Sequence, residues 1–362
     1  MPGHKFIIYE HMPYRHAVAF AAAAALATSL ATQTPGEVRR AVPVNAIDGI
    51  LAAFETHGIV ALPDAHGSGR THAFLLSLIR DPRFVRTVDD IVVEFGNAGY
   101  QDVADRFVRG EDVPLEALRP VWRDHTQPSI AADFTHHEDF FRAVRAVNTA
   151  AAGGRTLRVL LGDPPIDWSA VTNRDEHFRW IQMREAHPAA VMQTRVIARM
   201  RRALLVYGTG HLQRRQVMSN FEMDDWRAQT IVSLLERAGP TRIFTIAGVN
   251  DRHVKGWTPP AIATIRGTEL GAVDASAYFG PGHRFGIVDG RLVPIDKDRW
   301  RRLRAEDQFD ALLYLGPAIN ETDPLSKKLC DEPGYVEMRL KRIAIAALPP
   351  AEVERVHALC EA

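Results

Sequence analysis

Apolar runs recur along the chain at 58–62, 90–95, 157–161, 203–211, 242–247 and 310–316, rich in Ile, Val and Leu and closed by Gly, Pro or Asp. Runs of that length and composition read as buried strands ending in loops. Between them the apolar positions change period. Ile47, Ile50, Leu51 and Phe54 lie at helical spacing within 47–56, and Phe74, Leu75, Leu78 and Ile79 do so within 71–80, where Thr71 can act as the cap. Residues 100–109 form another helical stretch, stopped by Gly110. Alternation of strand and helix predicts an α/β fold with a mostly parallel central sheet and helices on both faces.

The rest of the pattern fills in around that sheet. Residues 111–152 are mostly helical without an internal repeat, and they read as a helical excursion that roofs the cleft. A long helical segment follows Thr172-Asn173-Arg174-Asp175-Glu176-His177-Phe178 and runs through Arg202, while 249–290 is loop and short strand. The tail, 337–361, is expected to be one or two peripheral helices. The expected organisation is a leader over 1–33, an α/β domain over 45–320 and a C-terminal helical tail over 321–362.

The leader reading rests on residues 17–31, an apolar, Ala-rich stretch behind Arg15 and His16. It is shorter than the roughly 20 apolar residues that span a bilayer. It fits a secretory signal starting at Met12 and cleaved after Ser29-Leu30-Ala31, which implies a secreted or periplasmic protein. The alternative is a helix belonging to the fold of a cytoplasmic protein. No other run is apolar enough to cross a membrane.

With 46% hydrophobic and 24% charged residues the chain has globular composition, and 362 residues allow a large core. Forty-four basic residues balance forty-four acidic ones, so no global field directs the protein to nucleic acid or an acidic membrane. Arg199-Met200-Arg201-Arg202 and Arg299-Trp300-Arg301-Arg302-Leu303-Arg304 read as solvated helix faces. Two cysteines, Cys330 and Cys360, are too few for a disulfide framework or a zinc–thiolate site, and they fit one late bridge or two free thiols equally.

Ionisable residues stand at or just past the ends of four of the strands: Asp64 and His66, Glu94, Asp163, and His211. Ligands of open α/β sheets bind outside the carboxyl ends of the strands, so these side chains are expected to converge. An imidazole titrating near neutrality suits His66 to take a proton from water, with Asp64 or Glu94 orienting it. Glu94 interrupts an apolar strand, where a carboxylate is costly unless paired. His211 sits in Gly208-Thr209-Gly210-His211, a turn that lets substrate approach the backbone. Arg70 is a candidate oxyanion clamp. His177, beside Arg174 and Asp175, is explained by helix capping, and His136, His137 and His283 read as surface residues.

There is no Gly-x-Ser-x-Gly elbow, P-loop, dinucleotide fingerprint or His-Glu-x-x-His motif. Over about 45–320, the order of Asp64-Ala65-His66-Gly67, Val93-Glu94, Tyr100-Gln101, Gly162-Asp163 and Gly208-Thr209-Gly210-His211 resembles the superfamily of erythromycin esterases, ChaN-like haem-binding proteins and Tiki proteases. The resemblance implies a small-molecule hydrolase in which His66 activates water against an ester or amide, without a cofactor. It also leaves two alternatives: a divalent-metal hydrolase with His66, Glu94 and His211 as ligands, and a protein that binds haem or another large ligand. The family's first motif has Gly-Glu where this chain has Pro63-Asp64, a carboxylate with a shorter reach.

Overall fold

The structure, a computed structural model, describes residues 38–129, 133–151, 153–214, 229–279, 285–288, 291–294, 303–317 and 325–361. The proposed leader, His283 and most of the Arg299–Arg304 cluster lie outside them. The strands are β1 (Val44–Asn45), β2 (Ile59–Pro63), β3 (Asp90–Asn97), β4 (Arg158–Asp163), β5 (Ala203–Tyr207), β6 (Ile243–Val249), β7 (Ala261–Thr264), β8 (Phe285–Val288), β9 (Arg291–Pro294) and β10 (Ala311–Tyr314). Eight of them form one sheet in the order β1-β7-β10-β6-β2-β5-β3-β4, and β8 pairs with β9 apart from it. The six from β10 to β4 are parallel, whereas β7 runs antiparallel to both β10 and β1.

The apolar runs are strands because both faces of the sheet are covered. Val60, Leu62, Ile91, Val93 and Leu204 pack on one side with Phe74 and Leu78 of the helix Gly69–Arg80 and Phe140 and Phe141 of the helix Thr135–Ala150. Ile59, Ala61, Val92, Leu160 and Leu205 pack on the other with Met192, Val196, Ile231 and Leu235. Successive side chains point to opposite faces of a strand, so continuous apolar runs are what a doubly covered parallel sheet requires.

At the outer edge, the Gln101 side chain takes the part of a missing neighbour. Its Nε2 donates to the Val159 carbonyl at 2.8 Å, and its Oε1 accepts from the Leu161 amide at 2.9 Å.

Local details differ from the sequence reading where tertiary contacts decide. The helix Gly69–Arg80 is capped by Ser68, whose hydroxyl accepts from the Thr71 amide, rather than by Thr71. The long helix expected to run through Arg202 is broken. Arg174–Gln182 ends before Arg184, Ala186–Val191 restarts with Pro188 in its first turns, and a wider turn over Met192–Val196 leads to left-handed Met200. Proline suits the start of a helix because the missing N–H is one that would go unpaired there. Arg201 is not a solvated face residue, since it clamps buried Asp90 with a 2.6 Å bond from Nε. His136 and His137 are buried, His136 stacked on Phe134 and His137 on Phe95.

The C-terminal helices Tyr335–Ala346 and Pro350–Cys360 are joined by a Cys330–Cys360 disulfide to the turn before them. Arg339 is wholly buried and pairs with Asp133, which also accepts from the Tyr335 hydroxyl at 2.7 Å and lies 3.3 Å from Arg123. Removing one partner of a buried pair strands the other charge. Asp133→Ala should therefore lower unfolding stability by about 3–5 kcal/mol, read by urea denaturation. A loss below about 1 kcal/mol would show that Arg339 is satisfied without it.

Candidate active site

The site forms at the carboxyl ends of β2, β3, β4 and β5. Beyond β2 the chain turns through Gly67 at φ +74°, where a side chain would also meet the Phe134 ring at 2.8 Å, so glycine alone fits. This turn leaves Asp64 and His66 on the loop. Glu94 lies where the β3–β4 register shifts between Val93 and Asn97. Such an irregularity re-aims side chains out of the regular pleat. The broken helix contributes Arg184 and Glu185 from between its two halves.

These residues form a chain of alternating charge. The Asp64 carboxylate faces His66 Nδ1 at 3.0 Å, and His66 Nε2 lies 3.6 Å from Glu94 Oε2. Glu94 Oε1 accepts from Arg184 Nη2 at 2.5 Å and lies 3.3 Å from His211 Nε2, while Oε2 accepts from the Gly208 amide at 2.7 Å. His211 Nδ1 is hydrogen-bonded to Glu185, whose second oxygen accepts from the Ile231 amide at 2.8 Å. A side chain at Gly208 would come within 3.2 Å of His66 Nε2 and 3.4 Å of Glu94 Oε2, so the bare backbone here lets the two imidazoles approach Glu94 without displacement.

Electrostatics follow from this order. Burial by itself would raise Glu94, but the charges of His211 and Arg184 hold its carboxyl well below the usual range. For His211, burial opposes protonation, yet Glu94 and Glu185 on either side raise it to about 10. His211 is therefore an imidazolium with both protons engaged. The hydrogen bond to Asp64 raises His66 against its desolvation, helped by Glu94, and its side chain is 56% exposed. His66 is the site's open, titrating group.

Asp163 sits deeper. Burial pushes it up to about 7 even though both oxygens accept from Thr126, one from the amide and one from the hydroxyl, each at 2.6 Å. It stands 3.7 Å from Arg184 Nε and supports that side chain rather than facing the cavity. Arg70 does not act as a clamp on this cluster: its guanidinium donates to the Pro317 carbonyl in a neighbouring cleft. That cleft, about 310 Å³, opens between the ends of β2, β6 and β10 and is also lined by Thr71, Asn250, His253 and Tyr278. A smaller cavity of about 150 Å³ lies against His66, Glu94 and Arg184, walled by Phe95, Phe134 and His137.

His66, Glu94 and His211 do converge, as the divalent-metal alternative expects, but the surroundings do not suit a dication. Arg184 already contacts Glu94, and His211 would have to give up a proton that two carboxylates hold. Among the described residues, no group of three or more His, Cys, Asp or Glu is arranged to hold a metal ion.

Arg184, Glu185 and His125 were missed by sequence reasoning. Pro188 does signal a helix break, which places Arg184 and Glu185 in a connection. His125, in Asp124-His125-Thr126-Gln127-Pro128, carries no periodic signal.

No family model and no curated protein matches the sequence. Among solved structures, the chain is similar to a Bacillus cereus protein, with 10% identity, a TM-score of 0.43, and 79% of this chain and 97% of that one covered. It is similar to a succinoglycan biosynthesis protein at 9% identity and a TM-score of 0.47, covering 77% and 94% respectively. A third is ChaN of Campylobacter jejuni, a structure of cofacial haem binding, at 11% identity and a TM-score of 0.36, covering 59% and 88%. These likenesses are distant.

The raised pKa of His211 has a consequence for stability. A group whose folded pKa lies above its unfolded value stabilises the fold fully below the unfolded value, and that contribution is lost as pH rises through the folded one. For His211 the window runs from 6.5 up to about 10. His211→Gln should flatten the fall of unfolding free energy across this range, and an unchanged slope would show that the imidazolium is not held in the folded state.

Proposed function

We propose that the protein is a hydrolase that activates water with His66 against the carbonyl of an ester or amide. The observation that carries this reading is the Asp64–His66 pair at the cavity mouth, with Nδ1 held at 3.0 Å, Nε2 beside Glu94 at 3.6 Å and more than half of the side chain exposed. Asp64 fixes the tautomer that leaves Nε2 free to accept a proton. Water attacks the carbonyl carbon as its proton passes to His66. The oxyanion so formed lies toward the positive charge of Arg184, and its collapse expels an alcohol or amine that recovers the proton from His66. Glu94 and the His211 imidazolium hold Arg184 and the ring of His66 in relation to one another. The leaving group departs toward the larger cleft beside Arg70.

This scheme needs no bound metal, and a chelator should leave the rate unchanged; loss of activity restored by zinc or manganese would replace it with the divalent-metal alternative. A haem-sized ligand has less behind it. The cavity beside His66, about 150 Å³, falls below the roughly 300–1,000 Å³ usual for drug-sized ligands, and the neighbouring cleft, about 310 Å³, only reaches the lower end of that range. No Soret shift is expected on adding haem. The Cys330–Cys360 bridge supports placing the protein in an oxidising compartment, secreted or periplasmic.

Assays against a panel of esters, lactones and amides test the reading directly. His66→Ala should reduce kcat/KM by about 10²–10⁴-fold while the fold persists. Because its pKa is raised, the acid limb of kcat/KM should lie above 6.5 and move down in Asp64→Asn. Undiminished hydrolysis by His66→Ala would overturn the assignment of the base.

A further inference from the structure

We propose that His125 is a catalytic hydrogen-bond donor, receiving on Nε2 the carbonyl oxygen of a flat acyl group about the size of one aromatic ring. The inference extends the hydrolase reading by naming the acyl side of the substrate.

The tautomer follows from a backbone contact. The Gln127 amide donates to His125 Nδ1 at 2.9 Å. An amide N–H cannot accept, so Nδ1 bears a lone pair and the single ring proton of a neutral imidazole is on Nε2. Burial, with Arg184 adding to it, pushes His125 down to about 3, so this state persists at every working pH. His125 lines the cavity that His66 and Arg184 also line. No described residue is hydrogen-bonded to its Nε2, and the atom is not sealed from the cavity.

The segment carrying His125 is fixed from several directions. Thr126 is held by Asp163 through two 2.6 Å bonds, the Thr126 carbonyl meets His177 Nε2 at 2.9 Å, and the Trp168 indole donates to the His125 carbonyl at 3.1 Å. A donor fixed before substrate arrives needs no reorganisation as negative charge develops on the oxygen. A neutral imidazole can polarise a carbonyl in this way while Arg184 supplies the charge beside it.

Shape and size define the acyl group. The cavity of about 150 Å³ matches an engineered cavity of about 150 Å³ known to admit benzene. Its aromatic walls include Phe95 and His137, stacked on each other with centroids 4.5 Å apart and planes 13° from parallel, and Phe134. Ser129, whose hydroxyl donates to Glu352 at 2.7 Å, also lines the cavity. A volume of this order holds one ring, while a long alkyl chain exceeds it and would leave part of its length outside.

Benzamide, a neutral probe that needs no turnover, tests the pocket by calorimetry on the full protein. It should bind, and His125→Phe should weaken it about 3- to 10-fold, the worth of one neutral hydrogen bond. His125→Gln, which restores a nitrogen donor, should recover the affinity to within about 2-fold. With 4-nitrophenyl benzoate, His125→Phe should lower kcat by about 10²–10³-fold, and the octanoate ester should be a poorer substrate for the wild type. Long-range nitrogen–proton NMR on the wild type should find the His125 proton on Nε2 and none on Nδ1 from pH 5 to 9. Equal benzamide affinity in wild type and His125→Phe, a proton on Nδ1, or no benzamide binding by the wild type would each overturn the proposal. Benzamide binding that depends on His125 in a protein that hydrolyses no ester would overturn the hydrolase reading and the catalytic role with it, and leave His125 as the donor to a bound carbonyl.

Discussion

A carboxylate taken out of water costs several kcal/mol unless its charge is answered by close donors. At the end of β3, Glu94 is answered by Arg184, the Gly208 amide and His211, with His66 at slightly longer range. These donors come from three separate elements, His66 from the β2 loop, the Gly208 amide and His211 from the β5 turn and Arg184 from the broken helix, so Glu94 is satisfied only when all three are in place. The proposed chemistry is organised around this group rather than performed by it. Glu94 keeps His211 protonated and pairs with Arg184, and it leaves His66 as the exposed imidazole of the cluster.

Carboxylates occupy both sides of this arrangement. Asp64 backs His66, Glu185 backs His211, and Asp163 lies under Arg184. The cations are thereby held in one geometry by partners that do not line the cavity, which keeps the donors fixed while His66 remains far more exposed than Arg184 or His211.

Much of this was legible in the chain. Strand runs such as 58–62 and 90–95 stood out because both faces of a covered sheet demand apolar side chains, and Asp64, His66, Glu94 and His211 stood out because they end those runs. The convergence of His66 and His211 on Glu94 follows from parallel strands placing their ends at one rim. What did not follow were features set by tertiary contact. Arg184 and Glu185 depend on where a helix breaks, and the state of His125 depends on a backbone amide two residues away. His136 and His137 looked like surface residues from their polar neighbours, yet they stack on Phe134 and Phe95, partners that only folding supplies. Arg70 ends at a helix start beside the cluster, but a carbonyl across the neighbouring cleft captures it.

The Gln101 amide along β4 has a further effect. An outermost strand with free backbone groups is a template on which another polypeptide can add by extending the ladder. Here one donor and one acceptor of that template, at Leu161 and Val159, are already engaged by a side chain of the same molecule. An incoming strand would have to evict Gln101 before it could pair at these positions, so this border of the sheet, beside the candidate site, resists uncontrolled self-association.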